Sequence, residues 1–196
     1  MPDTLTFRSA TRSDASDLAI LFDMASRRIV SWYWGTLANP GQSWFELGRD
    51  RILNLPDRTS HYSKWHLATS NSGTVGAFFG FSIADPYEPV DLSEVEAPLR
   101  PLVELEMLAS GCWLLQAIAV FSEFRGQGFG KALVARACDA ARAAGHGRIV
   151  LQVESPNVEA IGVYKKCGFV EWQRRTIVPF PGSDDSGDWI LMVKDL

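Results

Sequence analysis

The sequence predicts one mixed α/β domain, with a mostly antiparallel sheet flanked by helices. Three observations carry this. Apolar alternation and helical spacing take turns along the chain, giving the order strand, helices, hairpin, strand, helix, strand, helix, strand, strand. Turn chemistry at Asn71-Ser72-Gly73-Thr74 separates two apolar runs, which reads as a hairpin. An apolar run at Trp113–Val120 passes through a glycine-rich turn into the clearest helical pattern of the chain, which reads as a central crossover. The 196 residues fit one domain of the usual ~100–200. With 46% hydrophobic residues, there is enough apolar material for a core without staples.

The elements follow in order. Leu5–Arg8 reads as a short strand, and Ala10-Thr11-Arg12-Ser13-Asp14 as a turn with helix-capping residues. Leu18, Leu21, Phe22 and Ala25 recur at helical spacing, so residues 14–28 form an amphipathic helix. Trp32, Tyr33 and Trp34 stand together without a clear period; they fill core or line a pocket. Asn39-Pro40-Gly41 breaks the chain, and a second helix covers 42–53. Trp65–Thr69 and Val75–Ala84 are the hairpin arms. Asp85–Arg100, with three prolines, reads as loop with a short helical piece. Leu133, Val134, Ala137, Cys138 and Ala141 define a helix over 131–144, stopped by Gly145-His146-Gly147. Ile149–Val153 is a strand, Ser155-Pro156-Asn157 opens a helix through Lys166, and Trp172–Val178 and Trp189–Val193 are the last strands.

Several function classes are disfavoured. The net charge is −4 and no run of five like charges occurs, so a basic nucleic-acid footprint is missing. Cys112, Cys138 and Cys167 are widely spaced and form no zinc pattern with His61, His66 or His146; no metal is expected. Reduced thiols and the lack of a readable signal peptide suggest a cytoplasmic protein. No apolar run approaches the ~18 residues of a membrane span.

The informative stretch is Arg125-Gly126-Gln127-Gly128-Phe129-Gly130-Lys131, which follows the strand residues Ile118, Ala119 and Val120 and opens a helix. Amides at a helix N-terminus are unsatisfied and carry the positive end of the dipole. Glycines let a phosphate approach the backbone, and Arg125 and Lys131 add charge. Two better-known phosphate loops do not fit. The Walker pattern would need glycine at 125 and a hydroxyl at 132, where the chain has Arg125 and Ala132. The dinucleotide pattern starting at Gly126 would need glycine at 131, where the chain has Lys131.

The turn resembles the acetyl-CoA signature of the Gcn5-related N-acetyltransferase (GNAT) superfamily, [Gln/Arg]-x-x-Gly-x-[Gly/Ala]. A second stretch, Asn157-Val158-Glu159-Ala160-Ile161-Gly162-Val163-Tyr164 through Gly168-Phe169, is similar to that family's helix after the fifth strand. The resemblance implies a GNAT fold whose mixed sheet splays in a V between Trp113–Val120 and Ile149–Val153. It implies that amides from Arg125 to Lys131 hold the CoA pyrophosphate. Main-chain groups along Ile118, Ala119 and Val120 would pair with the pantetheine arm, and Asn157 would bond its amides. Tyr164 would donate a hydrogen bond or proton to the leaving sulfur. A tyrosine (pKa about 10) is protonated at neutral pH, where a thiol ionises near about 8.5.

The base that would deprotonate the acceptor amine departs from the family pattern. Many members place a glutamate on the fourth strand; the matching position here is Leu114. Glu104 and Glu106 lie just upstream, and Glu106 is the candidate, the alternative being a solvated surface carboxylate. The resulting expectation is an acetyl-CoA-dependent N-acetyltransferase acting by direct attack on a primary amine of a small molecule or peptide, with a homodimer by analogy of fold. The alternatives are a catalytically silent acyl-CoA sensor and an interaction domain with no ligand.

Overall fold

The computed structural model describes residues 5–196. The elements are β1 (Thr6–Ser9), α1 (Ala15–Ala25), α2 (Ile29–Leu37), α3 (Trp44–Asn54), β2 (Trp65–Ser70), β3 (Gly73–Ser82), α4 (Arg100–Met107), β4 (Trp113–Val120), α5 (Phe129–Ala143), β5 (Arg148–Glu154), α6 (Val158–Lys166), β6 (Val170–Thr176) and β7 (Asp188–Asp195). Pairs β1/β2, β2/β3, β5/β7 and β6/β7 are antiparallel, and β4/β5 is parallel. The expected mixed α/β class holds. The chain divides into two compact units, which share β3, β4 and α5.

The first unit runs up to Gly80 and includes Ala117–Leu133. Its strand order is β1-β2-β3-β4. Leu18, Leu21, Trp34, Ile52, Trp65, Leu67 and Phe79 form its core. Phe22 stands edge-on to Trp34, Trp65 and Phe79, the arrangement aromatic quadrupoles favour. The sequence reading of 29–37 missed helix α2. Its start is held by the Asp23 carboxylate, which accepts from Ser31 N at 2.9 Å. Helix formation sends Trp34 into the core and leaves Trp32 and Tyr33 half-buried. Helix α3 begins with a capping box: Ser43 N donates to Glu46 Oε2 at 2.8 Å and Glu46 N to Ser43 Oγ at 3.2 Å. Its Gly48 lies flat against the Trp34 indole, where any Cβ would overlap the ring. Gly76 does the same for β3, since a Cβ there would overlap the Ala119 carbonyl oxygen of β4.

The second unit comprises Phe81–Gln116 and Val134–Leu196. Its strand order is β4-β5-β7-β6. Ile149, Val150 and Leu151 are at most 1% exposed, so β5 is covered on both faces, as its continuous apolar run suggests. The β4/β5 ladder pairs Trp113, Leu114 and Leu115 with Ile149, Val150 and Leu151. On α5, the buried Val134, Ala137, Cys138 and Ala141 repeat the predicted stripe. The stretch read as mostly loop contains two short 3₁₀ turns and then helix α4. Gln152 Nε2 of β5 donates to Leu102 O of α4 at 2.7 Å, and Arg175 Nε of β6 to Glu104 Oε2 at 2.6 Å. Strand β6 starts two residues earlier than the sequence suggests. Gly168 (φ +89°) turns the chain out of α6, and the buried Phe169 anchors it at once.

Candidate functional site

In the first unit, β4 leads through a 3₁₀ turn at Ser122–Phe124 to the glycine-rich turn and the 15-residue α5. Phe121 N donates to Val75 O at 2.9 Å, which fastens the start of the turn to β3. Gly126 and Gly128 take left-handed conformations (φ +77° and +84°), which side-chain-bearing residues rarely adopt. Arg125 N donates to Ser122 O at 3.2 Å and Lys131 N to Gly128 O at 3.1 Å. Between them, the amides of Gly126, Gln127, Gly128, Phe129 and Gly130 have no acceptor among the described residues. A Cβ built at Gly126, Gly128 or Gly130 would meet nothing within 4 Å. The turn therefore offers five consecutive donors on an open surface at a helix N-terminus. That donor set fits a pyrophosphate. Arg125 and Lys131 are both exposed beside it, and Arg125 Nε also donates to Val120 O at 3.3 Å.

The strand before the turn sits tight against β3. The Ala119 carbonyl points at Gly76 of β3. Backbone groups alternate along a strand, so Ile118 and Val120 present theirs to the other edge.

In the second unit, Tyr164 lies on α6 with its ring 6.0 Å from that of Phe169. Its hydroxyl has no hydrogen-bond partner among the described residues. Burial, with a smaller contribution from Cys167, raises its pKa well above the usual tyrosine value. It stays protonated at any physiological pH. It is also a weaker acid than a thiol, which suits it to donating a hydrogen bond rather than surrendering the proton. Asn157 caps α6: its Oδ1 accepts from Ala160 N at 3.3 Å, leaving the Nδ2 amine to donate. Leu114 is fully buried, so the strand position that carries a glutamate in many family members is core here. Glu106 is half-buried on α4, and desolvation pushes its pKa up to about 7. Its charge reaches Tyr87, whose own pKa is raised first by burial and then by Glu106. Among the described residues, no group of three His, Cys, Asp or Glu side chains is placed to hold a metal ion. Among the described residues, no helix is long and apolar enough to cross a membrane.

A family model described as the acetyltransferase (GNAT) family matches residues 27–169. The chain belongs to the GNAT family. Solved structures agree on the fold. An acetyltransferase crystal structure is 20% identical, covering 97% of this chain and 98% of its own, with a TM-score of 0.65. A spermidine N-acetyltransferase from Vibrio cholerae, in complex with CoA and spermine, is 20% identical over 97% and 95%, with a TM-score of 0.61. A ribosomal-protein-alanine N-acetyltransferase from Brucella melitensis is 20% identical over 97% and 99%, with a TM-score of 0.64. No curated protein matches the sequence.

Sequence reasoning located the GNAT turn and its α6 helix but overlooked two features of the second unit. One is α4, where Pro101, Leu102 and Leu105 follow helical spacing, with proline in the first turn as a start signal. The other is Tyr87 beside Glu106, a pairing across 19 residues that no local pattern announces.

Proposed function

We propose that this GNAT protein is an acetyl-CoA-dependent N-acetyltransferase that acylates a primary amine by direct attack in a ternary complex. The observation that carries the reading is the run of five unpaired amides at Gly126–Gly130, open to an incoming phosphate. When bound, acetyl-CoA supplies the thioester carbonyl that the amine attacks. The turn from Arg125 to Lys131 holds the pyrophosphate, with most of the bonds made by the five free amides. The edge of β4 at Ile118, Ala119 and Val120 pairs with the pantetheine amides, and Asn157 Nδ2 donates to the same arm. Glu106 takes the proton that the ammonium must lose before attack, a task for which a pKa near neutrality is suited. The N–C bond then forms and the C–S bond breaks. Tyr164 steadies the negative charge that collects on sulfur through a hydrogen bond from its hydroxyl.

The acceptor is a small molecule or a peptide amine, and the protein works in the cytoplasm. Release of free thiol from acetyl-CoA, followed over a panel of polyamines, amino acids, aminoglycosides and peptides, tests the reading. Turnover with at least one class supports it. Absence of both turnover and CoA binding overturns it.

A further inference from the structure

One buried donor lies outside the groups assigned so far. Trp189 is 7% exposed, and its indole Nε1 has no hydrogen-bond partner. Among the described residues it is the one buried side-chain nitrogen or oxygen in that position. Buried N–H groups are nearly always paired, so an orphan of this kind points to an acceptor atom supplied from outside the chain.

Strand register fixes where the indole faces. Residues opposite each other in an antiparallel pair share a face. Trp189 pairs with Glu154 of β5 and with Arg175 of β6, and the next row is Gln152, Leu191 and Gln173. This is the face under α4, because Gln152 bonds Leu102 O and Arg175 bonds Glu104. The alternate face carries Lys194, whose Nζ donates to Cys167 O at the end of α6 at 2.7 Å. Trp189 therefore faces the helix that bears Glu106, on the opposite side of the sheet from the helix that bears Tyr164.

The chemistry of that face selects a ligand class. On α4, Glu104 is paired with Arg175, which leaves the half-buried Glu106 as the carboxylate that can meet a ligand. The balance favours an ammonium and repels a free carboxylate. The Trp189 N–H requires a neutral oxygen near that ammonium. A polyamine has no such oxygen, and a free amino acid brings the wrong charge. An α-amino amide has both features, either as a small molecule or as the first residue of a peptide.

We infer that Trp189 is the specificity contact of the acceptor site, donating from Nε1 to the amide oxygen of an α-amino amide whose ammonium is drawn in by Glu106 of α4. The inference rests on the acyltransferase reading above. Its test compares alaninamide, a trialanine amide, isobutylamine and free alanine as acceptors for the full chain, read as thiol release. Both amides should exceed isobutylamine and alanine in kcat/KM by about tenfold or more, the worth of one net hydrogen bond. Trp189→Phe should bring both amides down to the isobutylamine level with acetyl-CoA affinity unchanged. Equal rates for the two amides indicate a small-molecule acceptor, and a faster trialanine amide indicates a peptide N-terminus; either supports the inference. Equal use of isobutylamine by the unaltered protein, or a preference that survives Trp189→Phe, overturns it.

A second measurement needs no variant. The assigned ¹⁵N indole resonance of Trp189, in protein saturated with CoA, should move on titration with alaninamide and stay in place with isobutylamine. An unmoved resonance at saturating alaninamide overturns the inference. Calorimetric CoA binding separates the two levels. Bound CoA and turnover without the amide preference remove only the Trp189 assignment, whereas no CoA binding removes the acyltransferase reading with it.

Discussion

Glu106→Gln offers a test that reads stability and catalysis separately. Burial raises the carboxyl from 4.5 to about 7, so the folded state holds a proton that the unfolded chain has released. The sign is opposite to that of a salt-bridged carboxylate. Below about pH 4.5 both states are protonated and the group contributes nothing. Between 4.5 and 7 folding binds a proton, so stability falls as pH rises. Above 7 the full penalty of a desolvated charge is present. The shift corresponds to about 3 kcal/mol at about 1.4 kcal/mol per unit. Glu106 keeps partial contact with solvent, and screening reduces the expected penalty to about 1 kcal/mol. Glutamine has no charge to desolvate. The variant should match the original protein at pH 4.5 and be about 1 kcal/mol more stable at pH 8, measured by urea unfolding at both pH values. Catalysis should move the other way. A base with a pKa near 7 is about one-eleventh ionised at pH 6 and ten-elevenths at pH 8, so kcat/KM should rise about tenfold across that range. Glu106→Gln should abolish that limb. A variant with no added stability at pH 8 would refute the desolvation argument, and a pH–rate limb that persists in it would refute the assignment as base.

Three further outcomes are expected. Gly130→Leu should leave the fold intact, because a Cβ there meets nothing within 4 Å and φ is not left-handed, yet weaken CoA binding at least tenfold by calorimetry; unchanged affinity would remove the turn from the phosphate site. Gly130 is a cleaner probe than Gly128, whose φ of +84° adds backbone strain to any substitution. Tyr164→Phe should lower kcat by about 10²–10³-fold, the usual worth of one preorganised donor, with no loss of stability since the hydroxyl has no protein partner; full activity would defeat its role. Gly48→Ala should destabilise by about 1–3 kcal/mol as the new methyl meets the Trp34 indole, despite alanine's better helix propensity, and a melting temperature equal to the parent's would contradict the packing described.

The parts of the molecule legible in the sequence are those governed by local rules. The strand at 113–120 and the α5 stripe follow from short-range periodicity, and the turn between them from glycines that local geometry requires. Helices α2 and α4 were harder for a physical reason. Ile29–Leu37 is apolar and aromatic on nearly all sides, so no polar face marks its period, and only packing of Trp34 on Gly48 settles it. Arg100–Met107 follows a proline-containing loop and is held to β5 and β6 by single long-range bonds from Gln152 and Arg175. Tyr164 and Asn157 were singled out by motif. The environment that raises the Glu106 pKa to about 7, and the isolation of the Trp189 indole, depend on residues far apart in the chain and have no signature in one dimension.

The close approach of β3 and β4 at Gly76 has a consequence for the protein's behaviour in solution. It commits the Ala119 carbonyl to the side of β3 and turns the backbone groups of Ile118 and Val120 to the other edge of β4, the one proposed above to take the pantetheine amides. Such an edge is a template for any extended chain, including that of a neighbouring copy. A surface built to take a ligand's amides along a strand is equally able to take another strand's. The protein should therefore be more prone to associate through β4 when ligand is scarce. CoA added at saturating concentration should slow aggregation on mild heating by more than a ligand that binds only at the phosphate turn, such as inorganic pyrophosphate.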